Sequence, residues 1–153
     1  MAASAVRIQA LHKGAVQDRR DTILALCVAA FDDFDPDYLD GRLPGLIDPI
    51  LHLAENDSGE ALGFKLGYRR EPQLLYSWLG GVAPAARRRG VASALMTAQH
   101  QWAHDHGYHH VETRTRSINN AMIIANLRGG FNICGFTLTK SGAGSVTMRI
   151  ALV

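Results

Sequence analysis

Apolar and polar residues recur with two different periods along this chain, and the switches between them lay out its elements. Near the start, Val6, Ile8 and Ala10 alternate with Arg7 and Gln9, the period-two pattern of a strand. From Asp18 to Ala30 the positions Ile23, Leu24, Leu26, Cys27 and Ala30 follow helical spacing, which predicts a first helix. Ile50 to Glu55 and Ala61 to Arg69 read as strands joined by the turn Asn56-Asp57-Ser58-Gly59. Arg70-Glu71-Pro72 then leads into another strand, Gln73 to Val82. Short connections between three successive strands favour antiparallel pairing. Gly80-Gly81 interrupts the last of them, and Pro84, which has no backbone donor, stops its pairing.

Helical spacing returns at Val91, Ala94, Leu95, Ala98 and Trp102, in a helix that ends near Gly107. Val111 to Thr115 is the next strand, with Val111, Thr113 and Thr115 on one face. Because a helix separates it from Val82, those two strands should be parallel neighbours joined by a right-handed crossover. Asn119 to Leu127 predicts a second compact helix, closed by Gly129-Gly130. Phe131 to Lys140 and Ser145 to Leu152 flank Ser141-Gly142-Ala143-Gly144 as a hairpin. The expected fold is α/β (α+β), one domain over residues 1–153. Its central sheet is mixed but mostly antiparallel, of about seven strands with one parallel, splayed pair, flanked by helices. Ligands of open α/β sheets bind beyond the carboxyl ends of parallel strands, here Val82 and Thr115. Where such strands splay, a thin ligand arm fits between them, and a bulge at Gly80 and Gly81 would turn a backbone group toward the gap.

Composition narrows the function classes. The 153 residues are 47% hydrophobic and 20% charged, the balance of an ordinary globular domain with one core. A net charge of +2 without a long basic stripe gives no case for a nucleic-acid partner. Cys27 and Cys134 sit in apolar surroundings and read as buried free thiols of a reducing compartment. Met1 to Gln9 lacks the apolar core of a signal peptide, and no apolar run is long enough to span a bilayer, so the expected location is the cytoplasm, without a membrane partner.

Two stretches suggest metals and fail the test. Asp32, Asp33, Asp35, Asp37 and Asp40 crowd together, but a calcium loop counted from Asp33 would place Tyr38 at the required glycine and Pro44 at the required glutamate. The stretch to Pro49 reads instead as a solvated acidic loop holding one short helix. His100 and His104 lie one helical turn apart, but Gln101 stands where a zinc protease places its glutamate. Helical rotation from Val91 sets both histidines opposite the apolar stripe, facing water with His106, His109 and His110. No metal is expected.

The chemistry concentrates between Val82 and Met96, where strand, basic loop and helix follow directly. The first turn of a helix carries unpaired N–H groups and the positive dipole end, a natural phosphate site. Gly90 permits close approach, Ala92 keeps the turn small, and Arg87, Arg88 and Arg89 add charge. Neither the nucleotide P-loop frame nor the dinucleotide glycine fingerprint is present. Arg87-x-x-Gly90-x-Ala92 after Val82-x-Pro84 resembles the pyrophosphate-binding signature of the GNAT superfamily of acetyl-CoA-dependent N-acyltransferases. Asn119-x-x-Met122-x-x-Ala125-Asn126-x-Arg128-x-Gly130-Phe131 is similar in spacing to the family's helix and Gly-Phe turn. The two motifs and the strand order cover roughly the last half of the chain.

That resemblance implies acetyl-CoA as co-substrate and transfer of acetyl to a primary amine of a small molecule or peptide by direct attack. It implies cofactor contacts from Gly81, Val82, Arg87, Arg88, Arg89, Gly90, Val91, Ala92, Ser93, Asn119, Asn126 and Arg128. Asn126 stands where the family usually has a tyrosine that protonates the departing thiolate; an amide can hydrogen-bond the sulfur but cannot act as that acid. Relatives often carry a glutamate base on the strand entering the phosphate loop. Here Tyr76 occupies a similar place, and Glu112 on the next strand is the nearest carboxylate. A backbone N–H near Gly81 or Val82 would hold the oxyanion, and the acids from Asp32 to Asp40 would draw a cationic acceptor. The competing reading is a non-catalytic acyl-CoA-binding or regulatory module. Pairing of two subunits through their last strands stays open.

Overall fold

The computed structural model describes residues 5–153, and residues 1–4, part of the leader reading above, lie outside them. The chain runs through β1 (Arg7–His12), α1 (Gly14–Gln17), α2 (Arg20–Ala30), α3 (Pro36–Arg42), β2 (Ile50–Glu55), β3 (Ala61–Glu71) and β4 (Leu74–Val82). It continues through α4 (Val91–Asp105), β5 (His110–Arg116), α5 (Asn120–Arg128), β6 (Asn132–Leu138) and β7 (Gly144–Ala151). One seven-stranded sheet has the order β1-β2-β3-β4-β5-β7-β6, and every neighbouring pair is antiparallel except β4 and β5.

The parallel pair is short. Its ladder holds only Leu74 to Ser77 against His110 to Thr113, while β4 continues to Val82 and β5 to Arg116. The two strands therefore part beyond Ser77, as the splayed pair of the sequence reading requires. The bulge lies elsewhere than expected. Leu79 pairs with Leu66 and Ser77 with Gly67, so Trp78 is the extra residue, and Gly80 and Gly81 stay in register with Lys65 and Phe64. Gly81 instead allows a helix to approach, since a Cβ there would meet the Ala30 side chain at 2.9 Å.

Helices cover the two faces. On one, Val16, Ile23, Leu26, Cys27, Leu39 and Leu43 pack over Leu51, Leu53, Phe64 and Leu66. α3 forms inside the acidic stretch because Asp35 accepts from the Asp37 amide at 3.0 Å and Pro36 suits the first helical position. Cys27 is fully buried and its thiol is pushed up to about 12 by desolvation. Cys134 corrects its reading: it is exposed, because β6 is the sheet's outer edge. Among the described residues no helix is long and apolar enough to cross a membrane.

α4 covers the other face, rotated relative to the sequence expectation. Val91, Leu95, Gln99 and Ala103 point inward, whereas Ala94 is exposed. That rotation carries His100 inward as well, its ring 5.3 Å from that of Phe131, so the expectation that it faces water is corrected; His104 is exposed. Beneath the helix lie His52, Lys65, Ser77, Gln99 and His100. Lys65 Nζ reaches Ser77 Oγ at 3.5 Å. Among the described residues His52 Nδ1, His100 Nε2 and both amide atoms of Gln99 have no hydrogen-bonding partner. Desolvation, with a smaller push from the Lys65 charge, lowers His52 and His100 to about 4, and desolvation lowers Lys65 to about 8.

The two histidines make the fold acid-sensitive. Both are neutral when folded and titrate near 6.5 when unfolded, so on acidification the unfolded chain binds protons first. Their contribution is complete above pH 6.5 and is lost as pH falls toward about 4. Urea midpoints measured across that window should fall steadily, and His100→Phe, which preserves the contact with Phe131, should flatten part of the slope.

Candidate functional site

The end of β4 feeds a short 3-10 turn, Pro84–Ala86, and then a turn over residues 87–90 that delivers the chain to α4. Arg88 and Gly90 are both left-handed, with φ of 64° and 74°. Such turns gather successive amides into an anion-binding hollow. Among the described residues none of the amides from Arg88 to Ser93 has a backbone partner; the first in α4 to bond is Ala94 N, to Gly90 O at 3.0 Å. Gly90 is needed for its φ alone, because a Cβ there would meet nothing within 4 Å. Arg87, Arg88 and Arg89 are exposed around this hollow, and Arg87 Nη2 approaches Ala30 O at 3.5 Å, tying the loop to the end of α2. Val91 is buried beneath it, while Ala92 and Ser93 are exposed on the first turn of α4. The sequence thus places nine consecutive backbone units, from Val82 to Gly90, between a parting strand and a helix N-terminus.

The residues expected on α5 separate into three situations. Asn119 is the N-cap of that helix, its Oδ1 accepting from Met122 N at 3.2 Å, so the side chain expected on the cofactor arm is engaged as a cap. Asn126 is buried, and its Nδ2 donates to Thr115 Oγ1 at 3.4 Å and lies 3.7 Å from Met148 Sδ. It therefore backs the end of β5 that extends beyond the ladder with β4. Arg128 is exposed in the last turn of α5, where the helix dipole favours a cation.

Tyr76 and Glu112 are register partners across the parallel ladder. Glu112 is buried and accepts from Arg70 Nη1 at 3.0 Å and Arg149 Nε at 2.8 Å. Both of its carboxylate oxygens are thus occupied by guanidinium groups. Tyr76 stacks on Tyr68 at 5.5 Å, under the Arg70 guanidinium at 4.6 Å. Burial raises its phenol pKa more than Arg114 and Arg70 lower it, so at neutral pH it keeps its proton. Neither group presents a free base.

Beside Tyr76 lies a cleft of about 350 Å³, lined in part by Arg42, Leu46, Tyr68, Arg69, Arg70 and Trp78. It was not foreseen. The signal was the pair Tyr76 and Trp78, two residues apart on β4 and therefore on one face of the sheet, where Tyr68 packs against both. The acidic stretch is partly committed elsewhere: Asp35 caps α3, and Asp40 pairs with Arg20 at 2.7 Å. Among the described residues no three His, Cys, Asp or Glu side chains converge as a metal group.

Comparison with known proteins accords with this geometry. The model of the Acetyltransferase (GNAT) family matches residues 20–125. Aminoglycoside N(6')-acetyltransferase type 1 of Klebsiella aerogenes is 34% identical over 102 residues, 62% of this chain and 66% of that protein. The chain thus spans slightly less than two thirds of that relative's length. Nourseothricin acetyltransferase is 25% identical, with a TM-score of 0.62 over 69% of this chain and 66% of its own. The ribosomal-protein-S18-alanine N-acetyltransferase of Escherichia coli shares the fold at a TM-score of 0.79 and 14% identity, over 97% and 94% of the two chains. A GNAT family acetyltransferase from Elizabethkingia anophelis with acetyl-CoA bound does so at 0.75 and 16%, over 96% and 98%.

The cap assigned to Asn119 is testable apart from any ligand. Asn119→Ala should lower stability by about 1 kcal/mol, read as a shift of the urea midpoint, and Asn119→Asp should restore it.

Proposed function

The chain belongs to the GNAT acetyltransferase family, and from that membership we propose that it moves an acetyl group from acetyl-CoA to the primary amine of a small molecule. The observation that carries this reading is the junction of β4 and α4, where a row of unpartnered amides at a helix N-terminus stands beside two strands that part. The hollow from Arg88 to Ser93, with Arg87 and Arg89 at its rim, suits a pyrophosphate. The gap between Trp78–Val82 and Arg114–Arg116 suits the narrow pantetheine arm, whose amides pair with backbone that no neighbouring strand uses. Gly81 and Val82 border that gap and are assigned to the arm and the oxyanion, and Arg128 to the adenosine phosphates.

The reaction is direct attack. The neutral amine nitrogen bonds to the acetyl carbon, the C–S bond breaks, and the thiolate leaves. Asn126 cannot protonate that thiolate, and the proton comes from water. The amine proton likewise passes to water, because Glu112 is held by two arginines and Tyr76 keeps its own. The relatives named for aminoglycoside and nourseothricin acetylation support a small-molecule acceptor. The position of Asn126 favours one rival, an acyl-CoA-binding module without turnover.

Thermal unfolding with acetyl-CoA, CoA and ATP separates these readings. At a hundred times Kd, acetyl-CoA should add about 2.7 kcal/mol, a rise on the order of 5–10 °C for a domain of this size. CoA should act similarly, ATP much less, and Gly90→Val should abolish the shift because a β-branched residue disfavours left-handed backbone. Absence of any shift would remove the cofactor from the reading. A shift without thiol release against any amine would favour the binding module.

A further inference from the structure

Resting on the acyl-transfer reading, we propose that the cleft beside Trp78 selects an aromatic amine bearing a carboxylate, such as an aromatic amino acid, and discriminates against polycationic amino sugars. Its position comes first. Trp78 is the bulged residue directly after Ser77, the last residue of the parallel ladder, so one wall of the cleft stands where β4 leaves β5, while β3 and residues 42–47 supply the rest. An amine lodged there meets an acyl group carried through the gap.

Two flat rings, Tyr68 and Trp78, line the cleft, and Tyr76 and Tyr38 pack against them. Tyr38 lies 5.6 Å from Trp78 between ring centroids, Tyr68 lies 6.4 Å from Trp78 and 5.5 Å from Tyr76, and Trp78 Nε1 donates to Tyr38 Oη at 2.9 Å. That bond holds the indole plane in place while leaving both rings at the surface. The volume of about 350 Å³ admits a ring with a short side chain and sits near the lower end of ligand-pocket sizes.

Charge gives the second half of the argument. Arg42 is exposed over the Tyr38 ring at 4.9 Å and has no carboxylate partner among the described residues. Arg69 binds Asp48 at 2.8 Å and also donates to the Pro72 carbonyl. Arg70 shares Glu112 with Arg149, and Arg114 adds a further charge near Tyr76. Guanidinium groups thus outnumber carboxylates around the cleft, which repels a polycation and leaves Arg42 free for a bidentate carboxylate.

The same excess addresses the missing base. Like charge lowers the pKa of a bound ammonium, and an α-amino group starts near 7.7–8.0 rather than near the 10.4 of a lysine-type amine. The cleft therefore presents the acceptor as the neutral nucleophile without a dedicated carboxylate to deprotonate it. The amine displaces the thiolate, and its remaining proton leaves to water.

Steady-state thiol release with acetyl-CoA tests this on L-phenylalanine, L-tryptophan, 4-aminobenzoate, phenethylamine and kanamycin. We expect the carboxylate-bearing aromatic amines to exceed phenethylamine and kanamycin in kcat/KM by about tenfold or more, the worth of a charged hydrogen bond. Arg42→Ala should raise KM for L-phenylalanine by a similar factor, leave phenethylamine little changed and leave the acetyl-CoA thermal shift intact. Arg42→Asp should invert the order in favour of phenethylamine. Kanamycin as the best acceptor, or an order unaltered by Arg42→Asp, would overturn the proposal while leaving acyl transfer in place. If no amine is turned over, the transfer reading fails instead. The cleft is then judged by thermal protection: Arg42-dependent protection by L-phenylalanine over phenethylamine supports it, and equal protection refutes it.

Discussion

The structure depends on a parallel ladder that stops after four residue pairs. A parallel pair requires a crossover, and α4 is that crossover, so its N-terminus must lie at the carboxyl end of β4. The bulge at Trp78 then turns β4 away from β5, while β5 keeps its own ladder with β7 up to Arg116. Two features follow from this divergence: an unclaimed backbone edge and a helix terminus directed at its entrance. Each has a local cause in the sequence, but they meet because the strands separate.

The two faces of the sheet handle polarity differently. On the face covered by α2 and α3, ion pairs sit at the rim, and the interior is aliphatic and aromatic. Under α4, polar side chains lie within the core, with the lysine amine held to a serine and two imidazoles kept neutral by desolvation. Burial of unpaired polar groups opposes folding, so this layer is carried by the aliphatic contacts of Val91, Leu95 and Ala103 around it.

Much of this was legible in the chain. Period and punctuation gave all seven strands, the parallel pair and the turn between β4 and α4, because each rests on local pattern or chain order. What stayed hidden required register or rotation. The bulge at Trp78 depends on how β3 aligns with β4, which no single strand reveals. His100 turned inward because α4 meets the sheet along Val91, Leu95, Gln99 and Ala103, a line that Ala94 and Ala98 obscured by being small enough for either side. Cys134 is exposed because β6 ends the sheet, a matter of topology rather than hydrophobicity. The capping bond of Asn119 was readable, an asparagine before a helical run, had its side chain been weighed as a cap.

The unsatisfied layer beneath α4 bears on dynamics. Buried groups without partners reduce the free energy needed to open a segment locally, and α4 is the helix that covers them. Its own first turn is where an anion would dock. Amide exchange along this helix should therefore report occupancy of its N-terminus, slower when filled than when empty, because ligand binding there tightens the helix that lies over this layer.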